Sequence, residues 1–346
     1  MQDIKDFNLL ELTTRISSQG FPSFCSRQIF SWIYKKGVFD FEGMTDLPLA
    51  LRRYLKQNFY IIGLAIAKKL KSSDNTEKFL LRIMDGNCLE AVLIPTQKRV
   101  TACISSQVGC KFSCRFCASG VSGFKRNLGC GEIIEQLLLL KNFSSAKRIT
   151  HLVLMGTGEP LDNYDNVLKA IRIINSKEGL NLASRRITIS TCGLIPQIKR
   201  LSSEGLQIEL SVSLHAAEDA LRSSLMPVNK KYPLEELIDT CKDYALKTNR
   251  QVTFEYILIK DINSSLKDAQ NLVKILSDFK LFKVNLIPAN NIPELKVIPP
   301  LRKEIYAFKN YLLSNKIKVT LRKERGKDIK AACGQLRIKY ETDPNP

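Results

Sequence analysis

The chain predicts an α/β fold: a partial (β/α)6 barrel, three-quarters of a TIM barrel, behind a small N-terminal helical accessory domain. Three observations lead there. From Val100 onward, strand-like and helix-like stretches alternate, the pattern of βα units with a parallel sheet. The first 60 residues carry a helical period instead. The length, 346 residues, exceeds the roughly 250–300 at which single cores stop growing, so one large domain plus an accessory unit is expected.

In chain order, residues 1–60 predict three short helices punctuated by Pro22, Gly37 and Pro48. Ile29, Phe30, Ile33 and Tyr34 share a face, and Trp32, the one tryptophan, is expected to anchor this small core. Residues 61–98 turn to short strands around Asp85-Gly86-Asn87, read as a β-hairpin linker. Strands then follow over 100–105, 150–155, 186–191, 207–214, 251–259 and 283–287. Helices are expected over 131–142, 163–176, 194–204, 233–247, 265–278 and 301–315, and a last strand over 316–322. The core is therefore 99–322, with a C-terminal segment over 323–346.

Charge narrows the partners. A formal net charge of +19, from 53 Lys and Arg against 34 Asp and Glu, creates a field that favours polyanions, with RNA or DNA preferred. The basic N-terminal helical unit is accordingly read as an RNA-docking domain. The start of the chain is polar and acidic, and the longest apolar run, 60–67, falls far short of the ~20 residues of a membrane span. A soluble, cytoplasmic protein without membrane contact is expected. Ten cysteines in that setting suggest metal or redox chemistry, not a disulfide scaffold. Only His151 and His215 are present, which argues against a histidine-rich metal site.

Parallel α/β architectures build their sites at the C-terminal ends of strands, and five polar clusters fall there. Cys110-Lys-Phe-Ser-Cys114-Arg-Phe-Cys117 follows the first strand. Three thiolates at this spacing suit an iron–sulfur cluster, with one iron left open for the amino and carboxylate groups of S-adenosylmethionine. Zinc, with Cys130 as a further ligand, and three unconnected structural cysteines are the alternatives. After the second strand, Gly156-Thr-Gly158-Glu159-Pro160 offers glycines for close backbone approach and one carboxylate suited to an ammonium group. Ser190, Ser213 with Leu214 and His215, and Asn290 end the later strands. The serines suit a carboxylate or ribose and Asn290 an adenine edge, or each simply caps its strand.

Taken in combination, these stretches resemble the RlmN/Cfr family of radical-SAM RNA methyltransferases. The resemblance is carried by Cys103-Ile-Ser-Ser-Gln-Val-Gly-Cys110, Gly123-Phe-Lys-Arg-Asn-Leu128, Leu154-Met-Gly-Thr-Gly-Glu-Pro-Leu-Asp-Asn163, Ser213-Leu-His-Ala216 and Ala331-Ala-Cys-Gly-Gln-Leu336. It spans about residues 20–336, and Trp32-Ile-Tyr-Lys-Lys-Gly37 favours the RlmN branch. It implies a [4Fe-4S] cluster on Cys110, Cys114 and Cys117. It also implies S-adenosylmethionine bound at Gly158, Glu159, Ser190, Ser213, Leu214, His215 and Asn290. The implied reaction is methylation of C2 of an adenosine in the peptidyl-transferase region of 23S rRNA, and of the adenosine 3′ of the anticodon in tRNA.

C2 of adenine is too electron-poor to attack a sulfonium methyl, whereas a carbon radical adds to it. In the family's scheme Cys333 carries the methyl group and a second S-adenosylmethionine activates it. Cys103 resolves the RNA adduct through a disulfide with Cys333, and Cys103 or Glu90 removes the C2 proton. A reductant such as flavodoxin and a monomeric enzyme are expected. Without the resemblance, Cys103 and Cys333 read as buried structural cysteines and Glu90 as an outward strand residue. Cys25, Cys88, Cys130, Cys192 and Cys241 are read as structural throughout. Thr157 and Cys192 depart from the family's usual Met and Ser. A C8-methylating relative and a zinc-containing RNA-binding protein are the competing readings.

Overall fold

A computed structural model describes residues 1–120, 123–145, 148–290, 297–323, 325–326 and 328–329. Cys333 lies outside them. The chain opens with β1 (Gln2–Asp3), α1 (Leu9–Ser17) and α2 (Phe24–Phe30), the last continued by a π-helical turn over Ser31–Lys36. Then come α3 (Leu49–Asn58) and β2 (Phe59–Tyr60), which pairs in parallel with β1. Asn8 caps α1 in a reciprocal box with Glu11, each side chain accepting the other's backbone N–H. Ile29, Phe30, Ile33 and Tyr34 are all buried as expected. Trp32 is not the core anchor. The π turn puts it at the rim, half-buried, its indole N–H on Asp46 Oδ1 and Lys36 Nζ 3.2 Å from its ring centroid.

Next come β3 (Leu64–Lys71), β4 (Glu77–Ile83) and β5 (Cys88–Pro95), all antiparallel. The expected hairpin is β4–β5, turning through Gly86 at φ +83°. The stretch does more than link, however: β3 adds a third strand, and β5 pairs with the first barrel strand. The barrel itself runs β6 (Val100–Cys103), a small ribbon of β7 (Gln107–Gly109) and β8 (Phe124–Asn127), α4 (Cys130–Phe143), β9 (His151–Leu154) and α5 (Tyr164–Asn175). It continues through β10 (Ile187–Thr191), α6 (Ile195–Leu201), β11 (Glu209–Ser213), α7 (Asp219–Leu225) and α8 (Leu234–Thr248). The last elements are β12 (Val252–Leu258), α9 (Leu266–Leu276), β13 (Phe282–Pro288), α10 (Arg302–Ser314) and β14 (Val319–Leu321). One open sheet results, in the order β14-β13-β12-β11-β10-β9-β6-β5-β4-β3, with β6 through β14 parallel.

Register gives this sheet two different faces, because successive side chains on a strand point to opposite sides. Leu93, Ala102, Leu152, Ile187, Ile189, Leu210, Val212, Phe254 and Val284 share one face and are buried, the surface that amphipathic crossover helices must cover. The opposite face is polar toward the C-terminal ends of the strands. Among the described residues no helix is long and apolar enough to cross a membrane.

A buried charge cluster fastens the N-terminal unit to the barrel. Lys5, fully buried, places Nζ 2.8 Å from Asp3 Oδ1 and 3.2 Å from Glu135 Oε2 on α4, and donates to the carbonyl of Ile61. Glu135 also accepts the N–H groups of Gly63 and Leu64, all at 3.0 Å. Asp6 Oδ1 accepts the Gly131 N–H at 2.7 Å, a carboxylate at a helix N-terminus. A Cβ on Gly131 would stand 2.3 Å from Asp3 Oδ2, so a side chain there would displace the Asp3 carboxylate from this cluster.

Removing one partner of a buried ion cluster leaves the others uncompensated, which costs about 3–5 kcal/mol. Lys5→Ala is expected to lose that much in urea unfolding, where a solvated surface lysine would lose almost nothing. Burial raises the Asp3 carboxyl from 3.8 to about 6, with Lys5 pulling the other way. Because the folded state holds this proton more tightly, the contribution is complete below pH 3.8 and is lost as pH climbs through about 6. The Asp3→Asn variant should therefore gain on the parent between pH 4 and pH 6 and run parallel to it above.

Candidate active site

The stretch between β6 and β8 builds the cysteine loop. Gly109 has φ +79°, and a Cβ there would stand 1.7 Å from the Gly123 carbonyl oxygen, so β7 and β8 can close on each other only through glycine. Cys110 N–H donates to Gly123 O at 3.1 Å and Cys117 N–H to Cys114 O at 3.0 Å. Arg115 N–H reaches Leu225 O at 3.0 Å, pinning the loop to the end of α7. The loop thus holds Cys110, Cys114 and Cys117 half-buried beside the strand ends.

Burial pushes the Cys110 thiol up to about 12, with Cys117 and Glu159 adding to the rise. Cys114 lies higher still, again first through burial and then through Cys117 and Cys110. Cys110 and Cys114 each feel Cys117, and a cation that took their protons would remove a real electrostatic load. Three thiols on one loop are the donor set that an iron–sulfur cluster takes, each thiolate on a different iron. Cys130 is no fourth ligand: it lies buried at the start of α4, its thiol on Lys5 O at 3.7 Å.

The loop after β9 lies against this one through bare backbone. A Cβ on Gly156 would meet Ile104 C and O at 2.7 Å, and one on Gly158 would meet Gln107 Cβ at 2.5 Å. The close approach that the glycines allow is therefore to the neighbouring strand end. Gln107 joins the two loops: its Oε1 accepts Glu159 N–H at 2.8 Å, and its Nε2 donates to Asp162 and Asn127 at 2.8 Å each. Glu159 is buried, and burial raises its carboxyl. Its Oε2 accepts Cys192 N–H at 2.7 Å and its Oε1 accepts Leu161 N–H at 3.0 Å. Cys192, one of the two departures from the family pattern expected above, thus touches Glu159 directly. Thr157, the other departure, is buried with its hydroxyl unpartnered among the described residues.

His215 sits at φ +60° just past β11, its ring edge-on to Phe116 of the cysteine loop at 4.5 Å between centroids. Its Nδ1 accepts the Ile257 N–H at 3.0 Å, which leaves the proton on Nε2, and burial lowers its pKa to about 3. Leu214 is wholly buried, so only its backbone faces polar groups. Ser190 and Ser213 are half-buried, with no side-chain hydrogen bond among the described residues, and Asn290 is half-buried past β13.

Register brings the remaining residues to the polar face. Val92 stands opposite Cys103, so Glu90, two residues along β5, shares the face of Cys103 as its diagonal neighbour, about 7–8 Å away. Glu90 is buried and 3.0 Å from Lys78 Nζ, which corrects the outward placement expected of a lone strand carboxylate. Burial pushes the Cys103 thiol up to about 11, against the pull of Arg322 and a hydrogen bond from Met155 N–H. The same face carries Ser190, Ser213, Glu255, Asn285 and Thr320 on successive strands. Asn285 bridges Glu255 Oε2 at 2.7 Å and Thr320 Oγ1 at 2.9 Å. Glu255 and Thr320 were missed in the sequence. Their signal was a polar residue every second position in otherwise apolar strands.

Arg222 on α7 was missed too. It is fully buried, Nε on Leu214 O at 3.1 Å, Nη2 on Cys192 O and Ser213 O at 2.9 and 3.0 Å, and Nη1 on Asn229 Oδ1 at 2.6 Å. It ties the ends of β10 and β11 together beneath the cysteine loop. A lysine cannot reproduce that planar fork. Arg222→Lys is therefore expected to cost about 3 kcal/mol in urea unfolding through the carbonyls left unpaired, and Arg222→Ala at least as much.

Comparison with known proteins agrees with this geometry. Residues 104–273 match the radical SAM superfamily, and residues 2–61 match the ribosomal RNA large subunit methyltransferase N-terminal domain. A "Probable dual-specificity RNA methyltransferase RlmN" of Clostridium novyi is 45% identical over 98% of this chain and 99% of its own length. Its counterpart from Carboxydothermus hydrogenoformans is 46% identical over the same shares. The crystal structure of a radical SAM methyltransferase from Sphaerobacter thermophilus superposes with a TM-score of 0.93 at 42% identity, covering 97% of this chain and 99% of that one. With both regions matched and such identity along nearly its whole length, the chain belongs to the RlmN family of the radical SAM superfamily.

Proposed function

We propose that the protein methylates C2 of an adenosine in the peptidyl-transferase region of 23S rRNA and of the adenosine 3′ of the anticodon in tRNA. The observation that carries this reading is the shared polar face, on which Glu90 and Cys103 are neighbours, beside a loop whose three thiols feel one another. Cys110, Cys114 and Cys117 would hold a [4Fe-4S] cluster. Gly158, Glu159, Ser190, Ser213, Leu214, His215 and Asn290 would surround S-adenosylmethionine, Gly158 and Leu214 through backbone groups. When bound and reduced, this pair supplies the radical that activates a methyl group. The net charge of +19 suits an RNA substrate.

The protein's own groups do the rest. Cys333 takes a methyl group on sulfur and later presents it to the base. Cys103 then captures the Cys333 sulfur as a disulfide, freeing the RNA. The buried Glu90 carboxylate, beside Lys78, is the stronger candidate for removing the C2 proton, because Cys103 starts from a thiol that burial holds protonated. Neutral His215 keeps a donor on Nε2 without adding charge. A low-potential reductant such as flavodoxin, a monomeric state and a cytoplasmic setting belong to this reading.

The test is anaerobic incubation with S-adenosylmethionine, dithionite and protein-free 23S rRNA, followed by nucleoside analysis. 2-Methyladenosine and about four irons per chain are expected; 8-methyladenosine, or zinc in place of iron, would overturn the proposal. Cys114→Ala should lose both iron and product, whereas Cys333→Ala should keep its iron and lose product. Glu90→Gln should slow turnover by ~10²-fold or more while S-methylation of Cys333 still occurs. An unslowed Glu90→Gln would hand the proton to Cys103.

A further inference from the structure

The chain leaves β11 through a strained turn. His215 stands at φ +60°, and the Ala216 N–H donates to Leu214 O at 2.8 Å, two residues back. That bond closes a γ-turn of the positive-φ form, which is rare because it strains the backbone. A residue other than glycine keeps such a conformation only where its surroundings over-determine it. Here they do. Arg222 takes the carbonyls of Leu214 and Ser213, and the Leu214 N–H donates to Glu255 O at 3.0 Å. The Ile257 N–H holds the His215 ring at Nδ1.

The His215 carbonyl is taken by Asn263, in the loop after β12. Asn263 is wholly buried, and both N–H bonds of its side-chain amide are used. Its Nδ2 donates to His215 O and to Ile257 O at 2.7 Å each, while its Oδ1 accepts the Ile259 N–H at 2.7 Å. Two carbonyls on one side and an N–H on the other fix which end of the amide is nitrogen. Ile257 is thereby gripped twice, its N–H by the His215 ring and its carbonyl by Asn263. Tyr256 Oη donates to the Asn263 carbonyl at 3.0 Å and anchors the same loop by its backbone. An aspartate at residue 263 would turn a carboxylate on two carbonyls, and a leucine would leave three backbone groups unpaired.

We propose that Asn263 is a positioning residue of the S-adenosylmethionine site: its amide fixes the γ-turn at His215, so that Leu214 and His215 meet the ligand already ordered. The inference rests on the reading of this site given above. Asn263 acts through the His215 carbonyl and does not touch the ligand itself. A turn released from Asn263 relaxes its strain and must be re-formed each time the ligand binds. The apparent dissociation constant then rises in proportion to the time the turn spends open, about tenfold if it is closed one-tenth of the time. Once the ligand is bound the turn is closed in either case. The loss therefore falls on affinity and spares turnover at saturation.

The experiment uses the full, cluster-loaded chain under anaerobic conditions. Equilibrium dialysis reads the Kd for S-adenosylmethionine, product formation at saturating S-adenosylmethionine reads turnover, and hydrogen exchange reads the Ala216, Ile257 and Ile259 amides. Asn263→Asp is expected to speed exchange at all three amides about tenfold or more. It should raise the Kd about tenfold, at parental iron content and with saturated turnover within about twofold. Tyr256→Phe removes the loop's other anchor but leaves the Asn263 amide in place, so it should lower stability in urea at an unchanged Kd. A Kd unmoved by Asn263→Asp, or raised as much by Tyr256→Phe, overturns the proposal. The parent decides the matter even if Asn263→Asp does not fold: bound S-adenosylmethionine should slow its Ala216 and Ile257 amides, and no change there overturns the proposal too. A parent that binds S-adenosylmethionine but makes no methylated RNA would sink the proposed function and leave this inference standing.

Discussion

Every strand of the ten-stranded sheet from β4 to β14 keeps the same phase, and the site depends on that. A parallel sheet shows its side chains alternately to two faces, and one slipped residue would send a whole strand's set to the other side. Here Leu93, Ala102, Leu152, Ile189, Val212, Phe254 and Val284 face the helix side without exception. Their partners in alternation, Glu90, Cys103, Ser190, Ser213, Glu255 and Asn285, consequently share the other side. Burying the apolar set drives folding; gathering the polar set is its geometric consequence.

Loops then add what strands cannot. The cysteine loop and the loop bearing Glu159 touch through glycines, where any side chain would force the backbones apart. Gln107 supplies the polar connection and Arg222 the support beneath, by spending its whole guanidinium on carbonyls and one amide. Three buried cations, Lys5, Lys78 and Arg222, each mark a junction: N-terminal unit to barrel, β4 to β5, and α7 to the ends of β10 and β11. A buried charge is tolerated only with its partners in place, so each junction has one geometry.

Much of this was legible beforehand. The alternation after Val100 foretold six barrel strands and their helices, because apolar periods of 2 and 3.6 survive in any chain that must bury one face. The strand-end positions of Cys110, Glu159, Ser190 and His215 followed from the same reading. Trp32 was misplaced because a π turn breaks the regular helical period. Glu90 was misjudged because its partner Lys78 lies on another strand, where no local pattern reveals it.

The sequence by itself determined the fold class, the helical N-terminal unit and the cysteine spacing, all of which depend on local periodicity or residue type. Tertiary structure alone decided that Glu90 is buried beside Cys103, that Cys192 meets Glu159, that Arg222 sits beneath the loop and that Asn263 holds the His215 carbonyl. Those contacts join residues 13 to 48 positions apart. They exist because strand register and loop packing place the partners side by side, and periodicity along the chain carries no record of that.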